Sequence, residues 1–334
     1  MDTLSEVLRT VRLTGAVYFS IEGSAPWVAE TLPGSLIAPH VGSGVEHVIN
    51  YHVVTAGACW GGPVGAPPFR LETGDVIVFP QGDPHVLSSH PGMRGRPEIE
   101  FYRAANRQRV PLCVSLQGGG RERAQIVCGF LGCDARPFNP LLGALPRVLH
   151  LPASRSAAAG VRPLVDLALA ESTTARPGSD GVLSRLSELL FVDVIRAFTD
   201  GLDPDQVGWF AGLRDPVVGA ALHKLHDQPT QRWTLVRLAR QVGASRTILA
   251  QRFSRLVGMP PMQYLARWRV QMAANLLRTT RLGLAEIAER VGYGSEPALS
   301  RAFKRGLAVA PASYRRGPAP DPNERLGEPD DQSF

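Results

Sequence analysis

The chain has 334 residues, 44% of them hydrophobic, and 36 Lys and Arg against 30 Asp and Glu give it a net charge of +6. That length admits two globular domains, and without an unbroken apolar run of roughly 18 residues no membrane-spanning helix is expected. Four cysteines (Cys59, Cys113, Cys128 and Cys133) without CxxC pairs exclude a disulfide-dense scaffold and suit a reducing compartment.

In chain order, the N-terminal "MDTLSEVLRTVRLTG" mixes charged and apolar residues and lacks a secretory core, so a cytoplasmic protein is expected. From about residue 14 to 150 the signals are strands and turns: "GAVYFSIEG", "EHVINYHVVTAGACW", "FRLETGDVIVFPQGDPHVLSS" and "AQIVCGFLGCD". Within the third, Val76 and Val78 belong to a strand, Pro80 to Gly82 turn the chain, and His85 starts the return strand facing inward. Trp60, Phe79 and Phe101 are candidates either for a pocket wall or for core. Cys128 and Cys133, five residues apart, are either inert buried thiols or an oxidant-sensing pair.

Between residues 164 and 199 the period turns helical, and "SDGVLSRLSELLFVDVIRAFTDG" is apolar nearly all round. Leu183, Leu186, Leu190 and Val194 form one buried side. Leu189, Phe191, Val192 and Ile195 remain for a second surface, either more core or a homodimer contact. Residues 201–208 read as a linker, after which Asp215 and Pro216 supply a cap and first-turn proline for the next helix. Charge then changes sharply: residues 209–317 hold 18 basic against 5 acidic side chains, +13, whereas residues 1–208 sum to −3 and residues 318–334 to −4. Such an excess favours a phosphate-backbone partner. The acidic, proline-rich end should be disordered.

The basic half contains an internal repeat. Leu235, Leu238, Ala239, Val242, Gly243, Ser245, Leu249 and Phe253 correspond to Leu284, Ile287, Ala288, Val291, Gly292, Ser295, Leu299 and Phe303. Each copy reads as a helix ended by glycine, a short turn, and a serine-capped second helix, the helix-turn-helix pattern, at residues 234–255 and 284–305. Between them "PPMQYLARWRVQMAANLLR" predicts a helix with Leu265, Trp268, Met272 and Leu276 inward. Its length of roughly 27 Å would hold two recognition helices about one DNA turn apart, roughly 34 Å.

The residues from about Asp215 to Arg316 resemble the DNA-binding domain of the AraC/XylS family of bacterial transcription regulators. The resemblance rests on "LARQVGASRTILAQRF", "VGMPPMQYLARWRVQMAANLL", "IAERVGYGSEPALSRAFKR" and the closing "APASYRR". Ala308 departs from the pattern: it stands where the family has glycine, matched by Gly258 in the first copy, which implies a tighter or strained turn. The resemblance implies double-stranded DNA as partner. Arg246, Thr247, Ala250 and Gln251 would face it from the first recognition helix, and Glu296, Pro297, Ser300 and Arg301 from the second. Gln251 and Arg301 suit adenine and guanine edges, Ala250 a thymine methyl, and Arg252, Lys304 and Arg305 phosphates or solvent.

The spacing G-x5-P-x-G-x2-H from Gly74 to His85 resembles the second cupin motif, as in AraC-family members with a cupin-type sensor. Metal-binding cupins supply an H-x-H pair, a glutamate and this later histidine. Here Asn50 replaces the first histidine, His52 matches the second, Ala56 or Gly57 occupies the glutamate place, and His85 is present. The incomplete set implies no metal and no cofactor, unless His40, His47 or His90 substitutes. His52, Trp60 and His85 are then candidates for effector contact, or satisfied barrel histidines beside a core aromatic. The expected architecture is α+β and multidomain: a mostly-β cupin-like barrel (1–150), a helical connector with possible dimerisation (151–208), an all-α double helix-turn-helix domain (209–317) and a disordered tail (318–334). The expected function is that of a non-catalytic one-component regulator responding to a small molecule and contacting RNA polymerase if it activates. A cupin-type metal enzyme tethered to DNA, a thiol-based redox regulator and a ligand-free dimerising barrel are the alternatives.

Overall fold

The computed structural model describes residues 2–316 except 12, 42–44, 101, 103–111, 136, 159, 175 and 204–205. Phe101 and the acidic end therefore lie outside the described residues. The first part is a curled sheet of nine strands: β1 (Thr14–Ser24), β2 (Val28–Glu30), β3 (His47–Pro63), β4 (Phe69–Glu72), β5 (Val76–Phe79), β6 (His85–Ser88), β7 (Leu112–Gln117), β8 (Arg123–Cys133) and β9 (Leu149–Leu151). Its main path runs β2-β6-β3-β8-β1-β7, with β4 and β5 also on β3 and β9 on β5. The 17-residue β3 causes the curl, since its first part pairs with β5 and β8 while its last residues pair with β4 and β6.

Strand alternation sorts the side chains into two cores. Val48 and Val54 of β3 and Ala124, Ile126, Cys128 and Phe130 of β8 face the barrel interior with Phe19, Trp27, Phe79 and Leu87. Ile49, Tyr51 and Val53 face the other way, onto helices. Early helices α1 (Thr3–Thr10), α2 (Gly34–Val41), α3 (Pro140–Ala144) and α4 (Ala153–Ala158) surround the sheet, followed by the pair α5 (Val161–Thr174) and α6 (Ser179–Asp200). Tyr51 reaches across to α6, its hydroxyl 2.8 Å from Ser187 Oγ. Of the two readings of the second apolar surface of α6, core or homodimer contact, burial applies to Phe191 and Ile195. Phe191 and Ile195 are buried like Leu183, Leu186, Leu190 and Val194, because the outer face of the sheet needs the cover, and Leu189 and Val182 stay exposed.

The basic part is all helix: α7 (Trp209–Arg214), α8 (Pro216–Asp227), α9 (Leu235–Gln241), α10 (Arg246–Val257), α11 (Pro261–Thr279), α12 (Leu284–Arg290), α13 (Glu296–Leu307) and α14 (Pro311–Arg316). Ser245 and Ser295 cap α10 and α13, accepting from the Ile248 and Ala298 amides at 3.2 and 3.4 Å. At the far ends Gly258 has φ +78° and Ala308 φ +61°, the one non-glycine in the left-handed region among the described residues. The linking helix α11 is about 28 Å long from its 19 residues. Its buried side is broader than expected: Tyr264, Gln271, Ala274 and Leu277 join Leu265 and Trp268, while Met272 and Leu276 are half-buried. Among the described residues no helix is long and apolar enough to cross a membrane.

Candidate nucleic-acid interface and sensor cavity

Exposure along the two serine-capped helices defines what each can present. On α10 Arg246, Thr247, Ile248, Gln251 and Arg255 are exposed, whereas Ala250 is half-buried. On α13 Glu296, Pro297, Arg301, Lys304 and Arg305 are exposed and Ser300 is half-buried, so Ala250 and Ser300, Gln251 and Arg301, and Arg255 and Arg305 behave alike, whereas exposed Ile248 has half-buried Ala298 as its counterpart. The outward line of α10 thus runs Ile248, Gln251, Arg255, opposite buried Leu249 and Phe253 and about 100° round the helix from the expected Ala250. Ile248 and Arg255 were missed although their i, i+3, i+7 spacing from Gln251 was visible. Ile248 is the unusual one, 48% exposed for a large aliphatic side chain at the start of a helix.

Arg252 does not belong to this surface. Its guanidinium pairs with Asp215, whose carboxylate also accepts from the Val217 and Val218 amides at 2.9 Å as the N-cap of α8. The expectation of a phosphate contact gives way to an internal ion pair spanning two helices. By contrast Arg246, Arg255, Arg301, Lys304 and Arg305 make no ion pair with any described residue.

In the N-terminal part, β3 and the β5–β6 turn bring His52 and His85 together, Nε2 to Nε2 at 2.6 Å. His85 Nδ1 lies 2.8 Å from the Asp83 carbonyl, which can only accept, so this nitrogen carries the proton and Nε2 of His85 is the acceptor. His52 must then donate through its own Nε2, leaving its Nδ1 a bare acceptor with no partner. Burial keeps both rings neutral, pushing His85 down to about 4 and His52 well below the usual histidine value. Phe79 stacks on His85 at 3.7 Å and pins it. Asn50, two residues before His52 and hence on its face of β3, is fully buried with both amide atoms unpartnered.

A cavity of about 260 Å³ opens beside this pair, with His52, Phe19, Ile21, Leu87 and Tyr102 among its walls. His85 sits behind His52 and not on the lining, and Trp60 is elsewhere, half-buried under the Arg70 guanidinium 5.6 Å from its ring. The candidate trio therefore reduces to His52 at the cavity with His85 orienting it. His47 and His90 are engaged with the Pro80 carbonyl and Ser89 Oγ. Among the described residues no group of three or more His, Cys, Asp or Glu side chains is arranged to hold a metal.

Nor are Cys128 and Cys133 a pair. An odd separation on β8 sends them to opposite faces, Cys128 into the barrel next to His52 and Cys133 into the helix-covered core. Burial raises both thiols above their ordinary value, which suppresses thiolate chemistry.

Comparisons with known proteins cover both parts. The cupin family model matches residues 2–200 and a helix-turn-helix domain model matches residues 238–317. An AraC-like transcription regulator of Streptomyces lividans is 33% identical over 321 residues, 95% of this chain and 99% of that one. The transcriptional regulator AlkR of Acinetobacter baylyi is 28% identical over 320 residues, 95% and 99% of the two chains. Among solved structures, the DNA-binding domain of AdpA in complex with a target DNA is 34% identical, covering 30% of this chain and 91% of that chain, with a TM-score of 0.29. With a match along nearly its whole length, the chain belongs to the AraC-like transcription regulators, proteins that join a cupin domain to a DNA-binding helix-turn-helix domain.

Proposed function

We propose that the chain is a one-component regulator whose cupin half takes up a small, neutral, largely apolar effector and alters promoter binding by the two recognition helices. The observation that carries this reading is the coexistence, in one chain, of a largely apolar cavity with a neutral histidine in its wall and two recognition-helix faces with unpaired cations. Gln251 and Arg301 would read base edges, Ile248 a thymine methyl, and Arg255, Lys304 and Arg305 would hold phosphates. Arg246, Thr247, Glu296 and Pro297 would flank the bases, and Ala250 and Ser300 lie at the edge of the surface.

Charge on the cavity lining argues against an ionised effector. Glu30 is held by Arg94 at 2.7 Å and His52 is neutral, and the remaining charges, Arg96 and Glu98, are exposed, so an ion seated against His52 would lose hydration without a counter-charge beside it. A cavity of about 150 Å³ holds benzene, so about 260 Å³ suits a molecule of about ten heavy atoms. RNA polymerase would be a further partner if the chain activates. A second copy of the chain would meet the exposed Leu167, Val182 and Leu189 on α5 and α6.

The test is fluorescence anisotropy of the full chain on a DNA site enriched by it from a random-sequence pool. The titrants are neutral apolar compounds of this size and their carboxylate analogues. Neutral compounds should shift DNA affinity, the ionised analogues should not, and His52→Leu should abolish the shift. A response confined to carboxylates, or surviving His52→Leu, would overturn the assignment. By linkage the DNA must change effector affinity by the same factor.

A further inference from the structure

The linking helix α11 has a second line of contacts, turned toward the sensing part rather than toward the helix-turn-helix units. Asp134, which follows the end of β8, and Phe138 lie along it. The Phe138 amide donates to the fully buried Gln271 Oε1 at 2.9 Å, and the Phe138 ring meets Tyr264 edge-on at 5.3 Å and 87°. One turn further along, the Arg267 guanidinium stands 6.0 Å over the same ring. At the other end of α11, Arg278 pairs with Asp134 at 2.9 Å and with Glu46. The loop holds its own shape, since Asn139 caps α3 through the Leu142 amide and donates back to the Asp134 carbonyl at 2.9 Å.

Each contact continues to a different recognition helix. Tyr264, touched by Phe138, packs edge-on against Phe253 of α10 at 5.7 Å. Arg278, held by Asp134, lies 4.7 Å over the Tyr314 ring, and Tyr314 packs against Phe303 of α13 at 5.2 Å. Phe253 and Phe303 are equivalent residues of the two copies, both fully buried, and each anchors its helix from below.

We infer that Asp134 and Phe138 together position both recognition helices, Phe138 acting through Tyr264 on α10 and Asp134 acting through Arg278 and Tyr314 on α13. Both are positioning residues, remote from DNA, that set how the two helices sit relative to the sensing half. This arrangement needs no particular occupant of the cavity. It places the output of the sensing half at one loop that continues directly from β8, the strand paired to His52 through Cys128.

The two arms predict separable defects. On the DNA site enriched by the full-length protein, Gln251→Ala and Arg301→Ala first identify the base pairs read by α10 and by α13. Phe138→Ala should then weaken binding about five- to tenfold, with footprint loss confined to the α10 base pairs, whereas Asp134→Asn should do so at the α13 base pairs. Circular dichroism confirms that each variant is folded. If Asp134→Asn is not folded, Glu46→Gln on the half-exposed partner of the same arginine must reproduce the α13 defect. Equal loss at both sets of base pairs, or unchanged footprints in folded variants, would reduce these contacts to packing and overturn the inference.

Discussion

Replacing Ala308 with glycine should stabilise the second helix-turn-helix unit. Ala308 ends α13 with φ +61°, its amide donating to the Lys304 carbonyl at 2.8 Å, and Gly258 ends α10 in the same way at φ +78°. The left-handed conformation costs an L-residue about 1–2 kcal/mol through its Cβ, which glycine lacks. Against this, glycine frees the unfolded chain by about 0.4–1 kcal/mol. The difference leaves a net gain of about 0.5–1 kcal/mol for Ala308→Gly. With the packing of Leu299 and Phe303 untouched, the gain should appear in the thermal midpoint, about 2–8 °C on the scale of a domain of roughly 100 residues. Differential scanning calorimetry of the full chain reads it, with Ala308→Val as the opposite control, since a β-branched side chain worsens the same strain. A lower midpoint for Ala308→Gly, or a higher one for Ala308→Val, would refute the strained-cap argument.

Strand alternation and turn residues made the mostly-β first part and the repeated helices legible, because each element carries its own period. His85 was legible as inward-facing for the same reason: Pro80 to Gly82 force the chain back at that point. What failed depended on partners distant in sequence. Phe191 and Ile195 looked surplus because nothing in α6 reveals that the outer face of β3 and β8 must be covered. Arg252 looked free until the fold brought Asp215, 37 residues away, to its guanidinium. Between inert thiols and a sensing pair, Cys128 and Cys133 proved to be buried thiols on opposite faces, since five residues along a strand invert the side chain. Gln271 and Arg278 gave no signal as docking residues on a helix whose apolar stripe accounted for its burial. Ile248 is the exception, a local miss: rotating the outward line of α10 by one residue would have found it.

Arg301→Ala should cost about 1–3 kcal/mol at the selected DNA site and relax preference at one base pair, while Lys304→Ala weakens all sequences alike. Equal losses on specific and random DNA for Arg301→Ala would remove its reading role. Arg252→Ala should lower the thermal midpoint of the protein without changing the salt dependence of DNA binding, whereas Arg255→Ala should make that dependence shallower by about one counterion. Leu189→Glu should give folded monomers if α6 carries the dimer contact, and sedimentation showing an unchanged dimer would exclude that face. The last prediction concerns acid. Tyr264 Oη lies 2.9 Å from the Trp209 indole N–H, which can only donate, so its own proton goes to His226 Nε2 at 2.8 Å. That bond requires a neutral His226. Burial, aided by nearby His223, holds the folded value at about 3, below the usual 6.5 of the unfolded chain. Because the folded value is depressed, the unfolded state binds more protons, so the stabilisation is fully present above 6.5 and is lost as pH falls toward 3. Between pH 6.5 and 5 the loss should be about 2 kcal/mol. Urea unfolding followed by tryptophan fluorescence reports it directly, since the Trp268 ring centroid is 4.3 Å from that of His226. His226→Gln keeps a polar partner for Tyr264 but cannot take up a proton in this range, so its stability should fall less steeply over the same window. His52 and His85 titrate in both proteins and cancel in the difference. Parallel pH profiles for the variant and the wild type would show that His226 is not the acid-labile group.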